Sequence, residues 1–156
     1  MNLDRPLLLP QFFVGNIDKA GEIFCVDAPG ARLAVFVVGG TQDDPVILLH
    51  GGSGVPDYLT DVAGSLAPDH RVIRYDQRGT SRSTGHDGRF DLAEHVEDLE
   101  AIREAYEHER LSLFGRSWGG TLTQLYAGRY PERVAKLFLC NSGIGLGEDW
   151  KAMRGR

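Results

Sequence analysis

The chain has 156 residues, with 17 Lys plus Arg against 22 Asp plus Glu for a formal net charge of −5. That length suits one domain, 1–156, able to bury a sizeable core. The acidic balance and scattered basic residues exclude the basic face that a nucleic-acid partner needs, and no stretch approaches the roughly 18 apolar residues of a membrane helix. Leu7-Leu8-Leu9 is closed off by Pro10, too short for a signal-peptide core. Cys25 and Cys140, the two cysteines, fall in apolar strand-like runs. They are expected as buried free thiols in a reducing, cytoplasmic compartment. The 20 glycines sit at element ends and read as turns.

In chain order, Glu22 to Asp27 and Arg32 to Val38 read as an antiparallel hairpin turning at Ala28-Pro29-Gly30-Ala31. Pro45 to Leu49 is continuously apolar, the pattern of a strand covered on both faces. Asp57 is expected to cap a short helix with Leu59, Val62, Ala63 and Leu66 on one side. Arg71 to Tyr75 reads as a fourth strand ending in Asp76-Gln77-Arg78-Gly79. Asp91, with Glu94 three residues on, resembles a capping box. The helix it opens carries an apolar stripe of Leu92, Val96, Leu99, Ile102 and Tyr106. A strand at Leu111 to Phe114, a helix at Gly119 to Tyr130 and a strand at Val134 to Cys140 follow. The tail from Gly143 to Arg156 is glycine-rich and charged, with a weak helical pattern at Glu148 to Met153. Strands alternating with helices predict an α/β fold with a mostly parallel sheet.

Between the strand at Leu111 and the helix at Gly119 stands Gly115-Arg116-Ser117-Trp118-Gly119. It is a G-x-S-x-G sequence in the strand-to-turn-to-helix context of a nucleophile elbow. Ser117 would stand on a strained turn, with glycines two before and two after it giving room for a tight crossing. The Trp118 N–H is placed to stabilise an oxyanion. A serine hydroxyl is a weak nucleophile without a base, and no histidine follows Ser117; Glu132, Glu148 and Asp149 are the acids that do. His50-Gly51-Gly52-Ser53-Gly54 follows the third strand, where a second oxyanion donor, the Gly52 N–H, belongs. The same loop also suits a plain strand-to-helix turn. His50 precedes the glycines and is expected to position the loop with Gly51. A rival fingerprint starts at the same place: Gly52-x-Gly54, with Asp76 about 20 residues later, imitates a dinucleotide-binding loop, although Asp57 stands where a third glycine belongs.

His50-Gly51-Gly52, the run Asp76-Gln77-Arg78-Gly79-Thr80-Ser81-Arg82-Ser83, Ser117-Trp118-Gly119-Gly120 and Tyr130-Pro131-Glu132-Arg133-Val134 occur in that order. Together they resemble the first half of an α/β-hydrolase, over most of residues 20–145. The subgroup they are most similar to is the proline iminopeptidase-like enzymes, with an HGGPG loop, a DQRG loop and a GGSWG elbow; Ser53 and Arg116 depart from that pattern. The resemblance implies a three-layer α/β-hydrolase sheet truncated after about the sixth strand. It implies Ser117 as nucleophile and Gly52 and Trp118 as oxyanion donors, with no cofactor and no metal. The family's acid, histidine and lid would lie beyond Arg156. In some relatives the acid follows the sixth strand, where this chain has Asn141. Asp76 and Arg78 are expected to tie their own loop together, and His86, His95 and His108 to be solvated or packing side chains. The function implied is a serine hydrolase transferring an acyl group to water from a small-molecule or short-peptide amide or ester, here incomplete and inactive. The alternatives are a non-catalytic binding module on the same fold and the dinucleotide-binding domain. The apolar strand Val134 to Cys140 is expected as an exposed edge open to self-association.

Overall fold

The computed structural model describes residues 22–40, 45–85 and 91–142. Leu7 to Pro10, His86, Glu148, Asp149 and the rest of the tail lie outside the described residues. The elements are β1 (Glu22–Ala28), β2 (Ala31–Val38), β3 (Val46–Leu49), α1 (Thr60–Leu66), β4 (Val72–Tyr75), β5 (Thr84–Gly85), α2 (Leu92–Ala105), β6 (Leu111–Arg116), α3 (Trp118–Arg129) and β7 (Val134–Cys140). A single 3-10 turn, Pro131–Arg133, leads into β7. The strands form one mixed sheet in the order β1-β2-β4-β3-β6-β7, with β5 paired to β2. β4, β3, β6 and β7 run parallel, whereas β1, β2 and β4 pair antiparallel. The two-residue β5 brings the strands among the described residues to seven, one more than the sequence pattern shows, because so short a bridge has no periodicity of its own.

The continuous apolar run of β3 is explained by its two covered faces. Ile47 and Leu49 join Ile73, Tyr75 and Leu113 in the larger core with α2 and α3 residues such as Leu99, Ile102, Leu122 and Tyr126. Leu48, between them, faces the other way and packs with Val72 against Leu59 and Ala63 at α1. Alternate residues therefore serve opposite layers, and the molecule is a helix–sheet–helix sandwich. Helices α2 and α3 are also clamped by polar bonds: Tyr126 donates to Glu100 at 2.7 Å and Tyr130 to Glu97 at 2.9 Å. Glu100 in turn accepts from Arg103.

Local signals hold at some element ends and fail at others. Asp91 caps α2, accepting the Glu94 N–H at 3.0 Å. Asp57 does not cap α1, which starts at Thr60 with no side-chain cap. Its carboxylate is taken instead by Arg74 of β4, a fully buried ion pair, and its Oδ1 accepts the Leu59 N–H at 3.2 Å. A long-range charge outcompetes the local cap. Cys25 and Cys140 are free but only half-buried, since both lie on outer strands of the sheet.

Arg78 and Asp98 form a second buried ion pair, joining the β4–β5 loop to α2. Arg78 Nε and Nη2 reach the two Asp98 oxygens at 2.9 and 2.7 Å, and Nη2 also donates to the Pro29 carbonyl at 3.1 Å. Burial pushes the Asp98 carboxyl up to about 6 against the pull of that guanidinium. Removing one partner of such a pair leaves a buried charge unmatched. Arg78→Met is expected to cost about 3–5 kcal/mol in a urea melt at neutral pH, and Asp98→Leu added to it should restore most of the loss; a single variant with wild-type stability would contradict this.

His95 of α2 is buried, with its ring edge-on to Trp118 at 5.9 Å. Burial, aided by Arg78, lowers it to about 4, so the folded state holds it neutral where the unfolded chain, near pKa 6.5, takes up a proton. Between pH 6.5 and 4 the unfolded chain binds more protons, and this contribution to stability is lost as pH falls. Asp98 acts in the opposite sense below about pH 6. The expected outcome is that wild type loses stability relative to His95→Phe as pH drops through this window, by up to about 3 kcal/mol; parallel pH profiles of the two proteins would rule it out.

Candidate active site

The turn between β6 and α3 carries the backbone strain that the sequence pattern predicts. Ser117 has φ 50° and ψ −116°, a conformation that L-residues adopt at a cost of order 1–3 kcal/mol. Backbone bonds hold it there. Its N–H donates to the Cys140 carbonyl at 2.9 Å, and its carbonyl accepts from Gly120 at 2.9 Å and Thr121 at 3.2 Å. Both glycines of the motif are required by space. A Cβ on Gly119 would lie 2.1 Å from the Leu49 carbonyl oxygen, and one on Gly115 would lie 2.6 Å from Gly120 Cα. The first turn of α3 thus crosses directly over the end of β3, and Ser117 is left exposed at the carboxyl end of the sheet.

The glycine loop after β3 lies against this serine. A Cβ on Gly51 would come within 3.0 Å of Ser117 Cβ and 3.1 Å of the Arg116 carbonyl oxygen. The Gly51 N–H is already committed, donating to the Tyr58 hydroxyl at 3.0 Å. The next residue, Gly52, is exposed with φ +77°, and its missing side chain leaves room for Val55. Trp118 opens α3, where the first N–H groups have no intrahelical acceptor. His50 is buried, its Nδ1 paired with the Gly51 carbonyl at 3.0 Å and its ring tilted on Tyr58.

A third segment, Asp76 to Ser83, braces the other two. Asp76 is buried and accepts from the Asp57 N–H at 3.0 Å and from Arg82. Arg78 is bound to Asp98, as above. Between them the Gln77 amide donates to the His50 carbonyl and accepts from the Trp118 indole, both at 3.0 Å. Asp76 is thus spent inside the loop and buried away from any ribose, which removes the dinucleotide reading. At the mouth, the exposed Arg116 guanidinium lies 5.4 Å from the Tyr58 ring centre and sets a positive charge beside Ser117.

The structure brings Ser117, Gly51, Gly52, Trp118 and His50 into one cluster. Among the described residues no histidine bonds the Ser117 hydroxyl. His50 turns to its own loop, His95 to Trp118, His108 stacks on Tyr106, and His70 lines a cavity with Val46, Leu66 and Phe138. Glu132 is exposed in the 3-10 turn, and Asn141 follows β7 with φ 49°. Gln77, Tyr58 and His95 belong to the cluster, and their roles are not legible from spacing. The Asp76-Gln77-Arg78-Gly79 run marks Gln77 only by its company, and Tyr58 carries no motif at all.

Known proteins match both this sequence and this fold. A family model for the alpha/beta hydrolase fold matches residues 44–156. The proline iminopeptidase of Xylella fastidiosa (strain 9a5c) is 37% identical over 137 residues, 83% of this chain and 41% of that protein. The cis-3-alkyl-4-alkyloxetan-2-one decarboxylase of Shewanella oneidensis is 32% identical over 108 residues, 65% of this chain and 33% of that protein. This chain therefore spans well under half the length of these curated relatives. Among solved structures, a hydrolase from Pseudomonas aeruginosa PA01 superposes with a TM-score of 0.73 at 28% identity, over 85% of this chain and 50% of that one. Elbow, glycine loop, sheet order and these matches agree, and the chain belongs to the α/β-hydrolase fold family, with proline iminopeptidases among its relatives.

Proposed function

We propose that this chain carries the nucleophile and oxyanion half of a serine hydrolase site. Ser117 attacks a carbonyl carbon of a small amide, short peptide or ester, and the N–H groups of Gly52 and Trp118 receive the developing oxyanion. The observation that carries this reading is the strained, exposed Ser117 with the glycine loop packed against it. Occupation of the Gly51 N–H by Tyr58 favours Gly52 as the donor from that loop. Similarity to proline iminopeptidases favours an N-terminal peptide bond as the substrate, and the half-buried free thiols suit the cytoplasm.

The proton on Ser117 needs an acceptor, and in this reading the histidine base and its acid come from outside the 156-residue chain. Stripped of its triad, a site of this kind retains roughly 10³–10⁴ over water from its oxyanion hole and binding. A fluorophosphonate is expected to label Ser117 slowly, added imidazole to speed the labelling about 10-fold or more, and Ser117→Ala to abolish it. Fast stoichiometric labelling without imidazole would show that a base is present. No labelling even with imidazole would remove Ser117 as nucleophile and leave the non-catalytic binding module.

Strand β7 suggests a further property. Leu137, Phe138 and Leu139 are 41%, 63% and 41% exposed, on a strand that among the described residues is paired on one side only. Unpaired strand edges with apolar side chains invite pairing with another chain. In our reading the isolated chain self-associates through β7. Light scattering is expected to show mass rising with concentration in wild type and staying monomeric in Leu137→Lys/Phe138→Lys; a wild type that remains monomeric when concentrated would refute it.

A further inference from the structure

The two amides given to the oxyanion belong to segments far apart in sequence, the β3–α1 loop and the first turn of α3. One buried side chain bonds to both segments. Gln77 is completely buried; its Nε2 donates to the His50 carbonyl at 3.0 Å, two residues before Gly52, and its Oε1 accepts the Trp118 indole N–H at 3.0 Å. Gln77 is itself fixed at the backbone, where its carbonyl accepts from the Thr80 N–H at 3.0 Å and the Thr80 hydroxyl at 2.7 Å. The Trp118 ring is also held by the edge-on contact with His95.

We infer that Gln77 is a positioning residue for the Ser117 site, setting the distance between the Gly52 and Trp118 amides by tying the glycine loop to the elbow helix. The inference rests on the reading of Ser117 given above. The chemistry of the two partners selects an amide. A carbonyl can only accept and an indole N–H can only donate, so the tie needs one donor and one acceptor at its end. That requirement also fixes which way the Gln77 amide faces. Asn falls one methylene short. An ionised Glu satisfies the indole but turns a carboxylate on the His50 carbonyl. Leu fills the space and leaves both partners unpaired in a buried site. Misplacement of an oxyanion donor by about 1 Å costs up to roughly 100-fold in rate, so a tie of this kind acts on the chemical step more than on substrate capture.

The test uses the whole chain with Trp150→Phe, so that Trp118 is the one indole, and follows Ser117 labelling by a fluorophosphonate in imidazole beside amide NMR. Gln77→Leu and Gln77→Glu are expected to slow the saturated labelling step roughly 10- to 100-fold at pH 8, with the half-saturating probe concentration little changed. Both should move the Trp118 indole proton resonance and the Gly52 amide resonance. Gln77→Glu should also recover towards the wild-type rate as pH falls, because a protonated carboxyl again offers one donor and one acceptor. Taking the ratio to wild type at each pH cancels the surrounding ionisable groups, His50 on the glycine loop, His95 on α2, and Asp76 and Arg78 on its own loop. Wild-type labelling rates in a folded Gln77→Leu protein, or an unmoved indole and an unmoved Gly52 amide resonance, would overturn the inference. If the parent chain does not label at all, the reading of Ser117 fails separately and the NMR readings alone decide the tie. If Gln77→Leu does not fold, Gln77→Glu, of matching length and shape, carries both measurements.

Discussion

The crossing of α3 over the end of β3 is the constraint on which the rest of this site depends. Gly119 sits so close to the Leu49 and His50 carbonyls that no side chain fits between them. The helix can therefore begin only where the chain turns abruptly out of β6, and that turn is what holds Ser117 at positive φ. The strain is local, but the restraint on it is distributed. Three backbone bonds at Ser117, a helix clamped to α2 by Tyr126 and Tyr130, and a parallel strand on each side of β6 leave the turn little freedom to relax. Close packing of backbone on backbone also brings the glycine loop into contact with Ser117, because that loop is the direct continuation of β3.

Above the apolar sheet, the loops at its carboxyl ends are held by polar bonds. Asp76, Gln77 and Arg78 are consecutive and buried, and each reaches a different segment: Asp57 before α1, the His50–Trp118 pair, and Asp98 on α2. Loops expose backbone groups that need partners, and a buried donor or acceptor without one costs about 1–3 kcal/mol. A single short loop that answers several of these needs at once can position several others. His95, neutral and packed on Trp118, completes the support without offering a proton acceptor to Ser117.

A proline iminopeptidase and an oxetanone decarboxylase are both similar to this chain, so the scaffold by itself does not define a reaction. Arg116 stands where the proline iminopeptidase-like elbow pattern has a glycine, and it is exposed beside Ser117. It brings a cation next to Ser117 and lays it on Tyr58, whose hydroxyl accepts the Gly51 N–H. The exposed surface around Ser117 therefore combines a guanidinium, an aromatic ring and Val55.

Much of the architecture was legible in the residues because it follows from local rules. The unbroken apolar run of β3 signalled a strand covered twice, Asp91 with Glu94 signalled a capped helix, and the paired glycines around Ser117 signalled a tight strand-to-helix turn. Each is a statement about spacing along one segment, and spacing is what a sequence displays. The contacts that build the site are of another kind. That Asp57 pairs with Arg74 instead of capping α1, and that Gln77 joins His50 to Trp118, depends on which strands the sheet sets side by side. Half-burial of Cys25 and Cys140 likewise follows from the places of β1 and β7 at the ends of the sheet order. The sequence alone determined the tight turn at Ser117 and the elements around it; the strand order decided which polar side chains would meet beneath it, because hydrogen bonds and ion pairs between distant segments form only where the folded backbone brings donor and acceptor within about 3 Å.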